Sequence, residues 1–195
     1  ERYTYDVGSA DCPSSERYAK GRLSTMSSAD GVTTYCYDFA GRVSRKTQVI
    51  KGVTLQLAYA YTPAGRISSI TLPDSTVISY QRNTAGEVES ILRTKASGTA
   101  DSVANHLRWT SFGALKEWTA GARRIVRGYD TGGRMTSQND AVSDGLSYTL
   151  SWDSSDIIDG LTVGSSSGTY YYDTLGHLTS AFAGASFAMY EYDAT

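Results

Sequence analysis

Few residue groupings in this chain have the types and spacing for chemistry, and each has a plainer structural reading beside it. Gly164-Ser165-Ser166-Ser167-Gly168 matches the Gly-x-Ser-x-Gly pattern of a nucleophile elbow. That device needs a strand before the serine and a helix after it, whereas Tyr170-Tyr171-Tyr172 reads as a further strand, so a hairpin loop is expected instead. The two histidines, His106 and His177, are the side chains whose ordinary pKa suits general-base work near neutrality. Nothing in the spacing brings either one to a serine, a carboxylate pair or a metal-ligand set, and no Cys-x-x-Cys occurs. No catalytic residue, metal site or cofactor is therefore expected, and the chain reads as a non-enzyme.

Two further groupings concern binding and covalent stability. Arg123-Arg124-Ile125-Val126-Arg127 is the densest basic cluster. On a strand Arg123 and Arg127 share a face with Ile125 while Arg124 points the other way, so no continuous phosphate track forms. Formal net charge is -2, and no apolar run approaches the ~20 residues of a membrane helix, which argues against a nucleic-acid partner and a helical membrane span. Cys12 and Cys36 are the only cysteines. A disulfide pinning the long loop around Cys12 and a pair of free thiols stand as equal readings.

These groupings sit on elements that recur. An aromatic doublet, a turn, a glycine, a basic residue and an aliphatic residue return as Tyr35-x-Tyr37-Asp38-x-x-Gly41-Arg42-Val43 and as Tyr59-x-Tyr61-x-x-x-Gly65-Arg66-Ile67. They return again as Tyr129-Asp130-x-x-Gly133-Arg134 and as Tyr170-x-Tyr172-Asp173-x-x-Gly176-His177-Leu178. The glycine slots are Gly21, Gly41, Gly65, Gly86, Gly113 and Gly133, then Asp156 in place of glycine, then Gly176, at steps of 20 to 27 residues. The repeat covers residues 1–195 as one continuous array. Units open at Tyr3-Thr4-Tyr5-Asp6 and at Tyr190-Glu191-Tyr192-Asp193-Ala194, so a piece of a longer protein is expected.

Each unit reads as a β-hairpin. Rings two residues apart lie on one face of a strand. Asp38-Phe39-Ala40-Gly41 reads as a type I turn, with Asp capping the backbone and Gly accepting positive φ. Thr62-Pro63-Ala64-Gly65 places proline where its fixed φ is already right. Short alternating strands such as Arg66–Ile70 follow, and second turns are expected at Asp30-Gly31, Lys51-Gly52, Pro73-Asp74 and Ala183-Gly184. The longest insertion, Arg93 to Asn105, reads as a polar loop. The expected fold is all-β: tandem hairpins in a long antiparallel sheet that curls into a spiral or partial barrel, because wide sheets accumulate twist. The repeated arginines are placed to support the turn aspartates and the tyrosine rings.

The Tyr-x-Tyr-Asp-x-x-Gly-Arg-aliphatic unit resembles the YD repeat of the Rhs proteins, which are related to bacterial toxin-complex subunits and to teneurins. The resemblance runs the length of the chain. It implies a β-shell that encloses a C-terminal toxin domain, in a secreted or cell-surface parent protein, with the remainder of that shell and the enclosed toxin as partners. Trp152 in the tyrosine slot and Asp156 in the glycine slot depart from the pattern. No Asp-Pro occurs, so the self-cleaving segment of such shells is not carried over. A second reading is a cell-surface module whose Trp109, Trp118 and Trp152 hold glycans or a receptor.

Overall fold

A computed structural model describes residues 1–142, 145–184 and 186–192. Asp193 and Ala194, placed in the last repeat above, lie outside them. Seventeen strands are present among the described residues, and the only helical element among them is a single 3-10 turn, Ser14–Glu16. The chain divides into two compact units, 1–103 and 104–195.

The first unit carries β1 (Arg2–Tyr5), β2 (Leu23–Ser27), β3 (Gly31–Tyr37), β4 (Val43–Ile50), β5 (Val53–Tyr61), β6 (Ile67–Thr71), β7 (Val77–Arg82) and β8 (Val88–Thr94). Each pairs antiparallel with the next, from β1 with β2 to β7 with β8. β9 (Ala100–Trp109) begins in this unit, and its residues from Ala104 onward belong to the second. The second unit continues with β10 (Leu115–Ala120), β11 (Arg123–Tyr129), β12 (Met135–Asp140), β13 (Tyr148–Trp152), β14 (Ile158–Val163), β15 (Ser166–Tyr172), β16 (Leu178–Ala183) and β17 (Ser186–Met189). It is likewise an antiparallel meander, from the pairing of β9 with β10 to that of β16 with β17.

The reading of Arg93–Asn105 as a loop is corrected. Lys95–Thr99 closes a tight turn, with Gly98 at φ +84° and its N–H bonded to Lys95 O at 2.8 Å, and β9 starts at Ala100. Arg93 and Asp101 pair across that turn. Polar side chains hid a strand whose faces are both half-wet.

A sheet this thin buries few side chains. The buried apolar residues among those described are Cys12, Ala19, Cys36, Tyr37 and Leu107. Two of them, Cys12 and Ala19, lie in a strap of the first unit, residues 7–20, that folds back onto β3, where Cys36 and Tyr37 stand. Cys12 and Cys36 are disulfide-bonded, with Cα atoms 5.6 Å apart. Arg17 holds the strap's own shape, donating from Nε to Cys12 O at 2.7 Å and from Nη2 to Ala10 O at 2.8 Å. Glu16 fastens the strap to β4, accepting from Ser44 Oγ at 2.9 Å and from Arg45 Nε at 3.2 Å. The Arg45 hydrogen bond pulls the Glu16 carboxyl below its ordinary pKa against the opposing effect of burial.

Candidate functional site: the ladder between repeats

The chemistry of each unit begins in its turn. Asp38 N–H donates to Arg42 O at 2.9 Å and Gly41 N–H to Asp38 O at 2.9 Å, a type I turn followed by a left-handed glycine at φ +75°. Asp38 Oδ1 accepts from Ala40 N and Arg42 N at 3.0 and 2.9 Å, and Oδ2 accepts from Arg42 Nε at 2.7 Å. Asp130 repeats this with Gly132 N, Arg134 N and Arg134 Nε at 2.9, 2.9 and 2.7 Å. Asp173 does so with Leu175 N and His177 N, and its Oδ2 lies 3.0 Å from His177 Nδ1. Neutral residues keep part of the pattern: Asn83 Oδ1 accepts from Glu87 N at 3.0 Å and Thr62 Oγ1 from Arg66 N at 3.2 Å.

Burial would raise the Asp38 pKa, but the Arg42 hydrogen bonds outweigh it and hold the carboxyl low. Arg134 holds Asp130 low, and the His177 backbone N–H does the same for Asp173. These aspartates are ionised turn clamps.

The second aromatic of each doublet ties one repeat to the one before it. Tyr37 Oη donates to Leu23 O at 2.7 Å, Tyr61 Oη to Val43 O at 2.6 Å, Tyr129 Oη to Leu115 O at 2.8 Å and Tyr172 Oη to Ile158 O at 2.8 Å. In every case the acceptor is the second residue after the preceding glycine slot. Trp152 keeps the contact with its indole, Nε1 to Met135 O at 2.9 Å. Arg82 keeps it with a guanidinium, Nη2 to Ile67 O at 3.1 Å. The slot thus selects a long side chain with a donor at its tip. Pattern reading caught the tyrosines and missed Arg82, because aromaticity was the visible signal and donor capacity the operative one. Burial raises the pKa of Tyr37, Tyr61 and Tyr172, so these hydroxyls stay protonated donors.

The residue after the glycine reaches forward instead. The Arg42 guanidinium carbon lies 4.4 Å from the Tyr61 ring centroid, Arg134 lies 5.7 Å from Trp152 and Arg22 lies 5.8 Å from Tyr37. Arg66 Nη1 donates to Gly86 O at 2.8 Å. Arg134 Nη1 pairs at 2.5 Å with Asp156, the aspartate in the next glycine slot, which adopts φ +65°. The glycines also leave room for this arm: a Cβ on Gly41 would fall 2.1 Å from Arg22 Nη2. The junctions that begin with Arg22, Arg42, Arg66 and Arg134 are therefore held by a hydrogen bond running backward and a guanidinium running forward.

The remaining sequence candidates do not converge. Ser166 and Ser167 lie within β15, directly after a two-residue turn, so the Gly-x-Ser-x-Gly match is a hairpin. His106 stands exposed in β9 at φ +54°, and His177 serves Asp173 and lies 4.9 Å from the Tyr192 ring. In the basic cluster Arg123 pairs with Asp140, Arg124 with Glu117, and Arg127 with Gln138 and the Trp118 ring. Each cation is matched locally on the sheet.

No family model and no curated protein matches the chain. Solved structures do. The crystal structure of TcdB2-TccC3-Cdc42 aligns over 84% of the chain with a TM-score of 0.76 at 13% identity, and the crystal structure of TcdB2-TccC3 gives the same values. The Photorhabdus luminescens Tc holotoxin pore aligns over 84% with a TM-score of 0.75 at 13% identity. The chain spans only 10%, 10% and 9% of the length of those three chains. In its antiparallel repeats the chain has the fold found in these Tc toxin structures.

Proposed function

We propose that the chain is a non-catalytic wall segment of an Rhs-type β-shell, in a larger secreted bacterial protein that encloses a C-terminal effector domain. One observation carries this reading: successive repeats interlock through side chains spent on joining neighbours, from Tyr37 to Leu23 onward. A wall needs an extensible unit that binds its own copy, and the ladder supplies one. The likeness to the Tc toxin structures supports the same reading. So does the disulfide, which suits an oxidising compartment. The glycan reading draws less support, since Arg127 and Arg134 lie over the Trp118 and Trp152 rings that would serve as platforms.

The test is limited proteolysis of the intact parent protein. The effector domain is expected to resist cleavage until the wall is unfolded by denaturant. Cleavage of that domain at the same rate in the native protein as after denaturation would overturn the reading.

A further inference from the structure

The junction that begins at Ile157 lacks its forward arginine. At the degenerate unit the turn clamp is intact: Asp153 Oδ1 accepts from Ser155 N at 2.8 Å and Ile157 N at 3.0 Å, as Asp38 and Asp130 do in their turns. The position that holds Arg42 and Arg134 elsewhere is Ile157. Its apolar side chain reaches toward Gly176, whose Cβ would lie 3.6 Å from Ile157 Cδ1. The second oxygen of Asp153 has no donor among the described residues, and the Tyr172 ring has no guanidinium over it.

A groove of about 660 Å³ opens at this spot, lined by Asp153, Ile157, Asp159, Tyr170, Tyr172 and Asp173 among others. No basic side chain pairs with Asp153 or Asp159 among the described residues; Asp159 accepts only from Ser151 Oγ, at 2.6 Å. A second junction without arginine shows that the gap is not inevitable. At Ala114 the arginine is also missing, but Thr110 has replaced the carboxylate, and Phe112 packs edge-on against Tyr129 at 5.6 Å. There the charge and the bare ring went together with the arginine. At Ile157 both remain.

We infer that this groove is a docking seat for an arginine side chain presented by a partner polypeptide, entering where the chain's own arginine lies in the other repeats. The commitment to arginine rests on complementarity. A planar guanidinium can pair with the free Asp153 oxygen while stacking on Tyr172, the double engagement that Arg42 makes with Asp38 and Tyr61. A lysine ammonium satisfies the charge without the fork or the stack. The inference stands apart from the shell reading, because it follows from the vacant position alone.

Titrating the chain with Nα-acetyl-arginine amide, followed by amide chemical shifts, tests it. Saturable shifts confined to residues 153–159 and 170–173 are expected at millimolar probe, weak as befits one exposed pair. They should be absent with the isosteric, uncharged acetyl-citrulline amide. Asp153→Asn should weaken binding about tenfold. Ile157→Arg fills the seat from within, so it should abolish binding and raise the melting temperature. Absence of saturable shifts, equal shifts from citrulline or from a neutral methyl glycoside, or undiminished binding to folded Ile157→Arg would overturn the proposal.

Discussion

A tyrosine in the donor slot of this chain works through its hydroxyl as well as through its ring. Tyr61 places its ring beneath Arg42 and its proton on Val43 O, so Tyr61→Phe removes the second contact and keeps the first. An unfolding free energy lower by about 1 kcal/mol is expected, read from urea titration. Tyr61→Trp should cost less than Tyr61→Ala, given that Trp152 fills the same slot. The aspartates make a second prediction. Asp38 and Asp130 ionise more readily in the folded chain than in the unfolded one. Their stabilisation is therefore complete above the ordinary carboxylate pKa and is lost as pH falls through the lower folded values. The urea midpoint should drop on acidification below about pH 4. In the double variant Asp38→Asn, Asp130→Asn the drop should be shallower. Asp as a turn residue and Arg as its partner were legible from type and spacing. Arg82 was not, since a strand residue reveals its role only once the carbonyl it meets is in place.

At the scale of the element, the hairpin turn is the repeated device and its glycine has two duties. Gly41 and Gly52 both hold positive φ, at +75° and +81°, yet only Gly41 has a neighbour where a Cβ would go. Gly52→Ala should cost about 1 kcal/mol, the backbone penalty alone. Gly41→Ala should cost more, because Arg22 must also leave Tyr37; comparing the two urea midpoints checks this. The strap offers a second test at this scale. Bonding Cys12 to Cys36 closes a span of 24 residues, so Cys12→Ser with Cys36→Ser should lower stability by about 3 kcal/mol in the chain-entropy account. The hairpins and their αL glycines could be read from the Gly and Asp spacing. The disulfide could not be decided, because two cysteines in sequence carry no distance between them. The strand β9 was missed because Ala100–Asn105 lacks the apolar alternation that marks a strand with one dry face.

Over the whole molecule, stability is spread along the ladder instead of gathered in a core. Five apolar residues are buried among the described residues, while Phe39 and Leu175 at two turn tips remain 80% and 79% exposed. Each rung contributes on the order of 1 kcal/mol, so an array of this kind gains cohesion by adding units, as repeat proteins do. The all-β repeat could be read from period and turn chemistry, whereas the vacant seat at Ile157 needed the neighbouring ring and carboxylate in space. The strap then sets a mechanical limit. Pulled by its two ends, the chain cannot pay out the 24-residue span between Cys12 and Cys36 while the bridge is intact. Fully extended, that span is roughly 80 Å of hidden contour length. Single-molecule stretching should recover it only in the presence of a thiol reductant, which makes the bridge a built-in stop against tearing of the β2–β3 hairpin that it encloses.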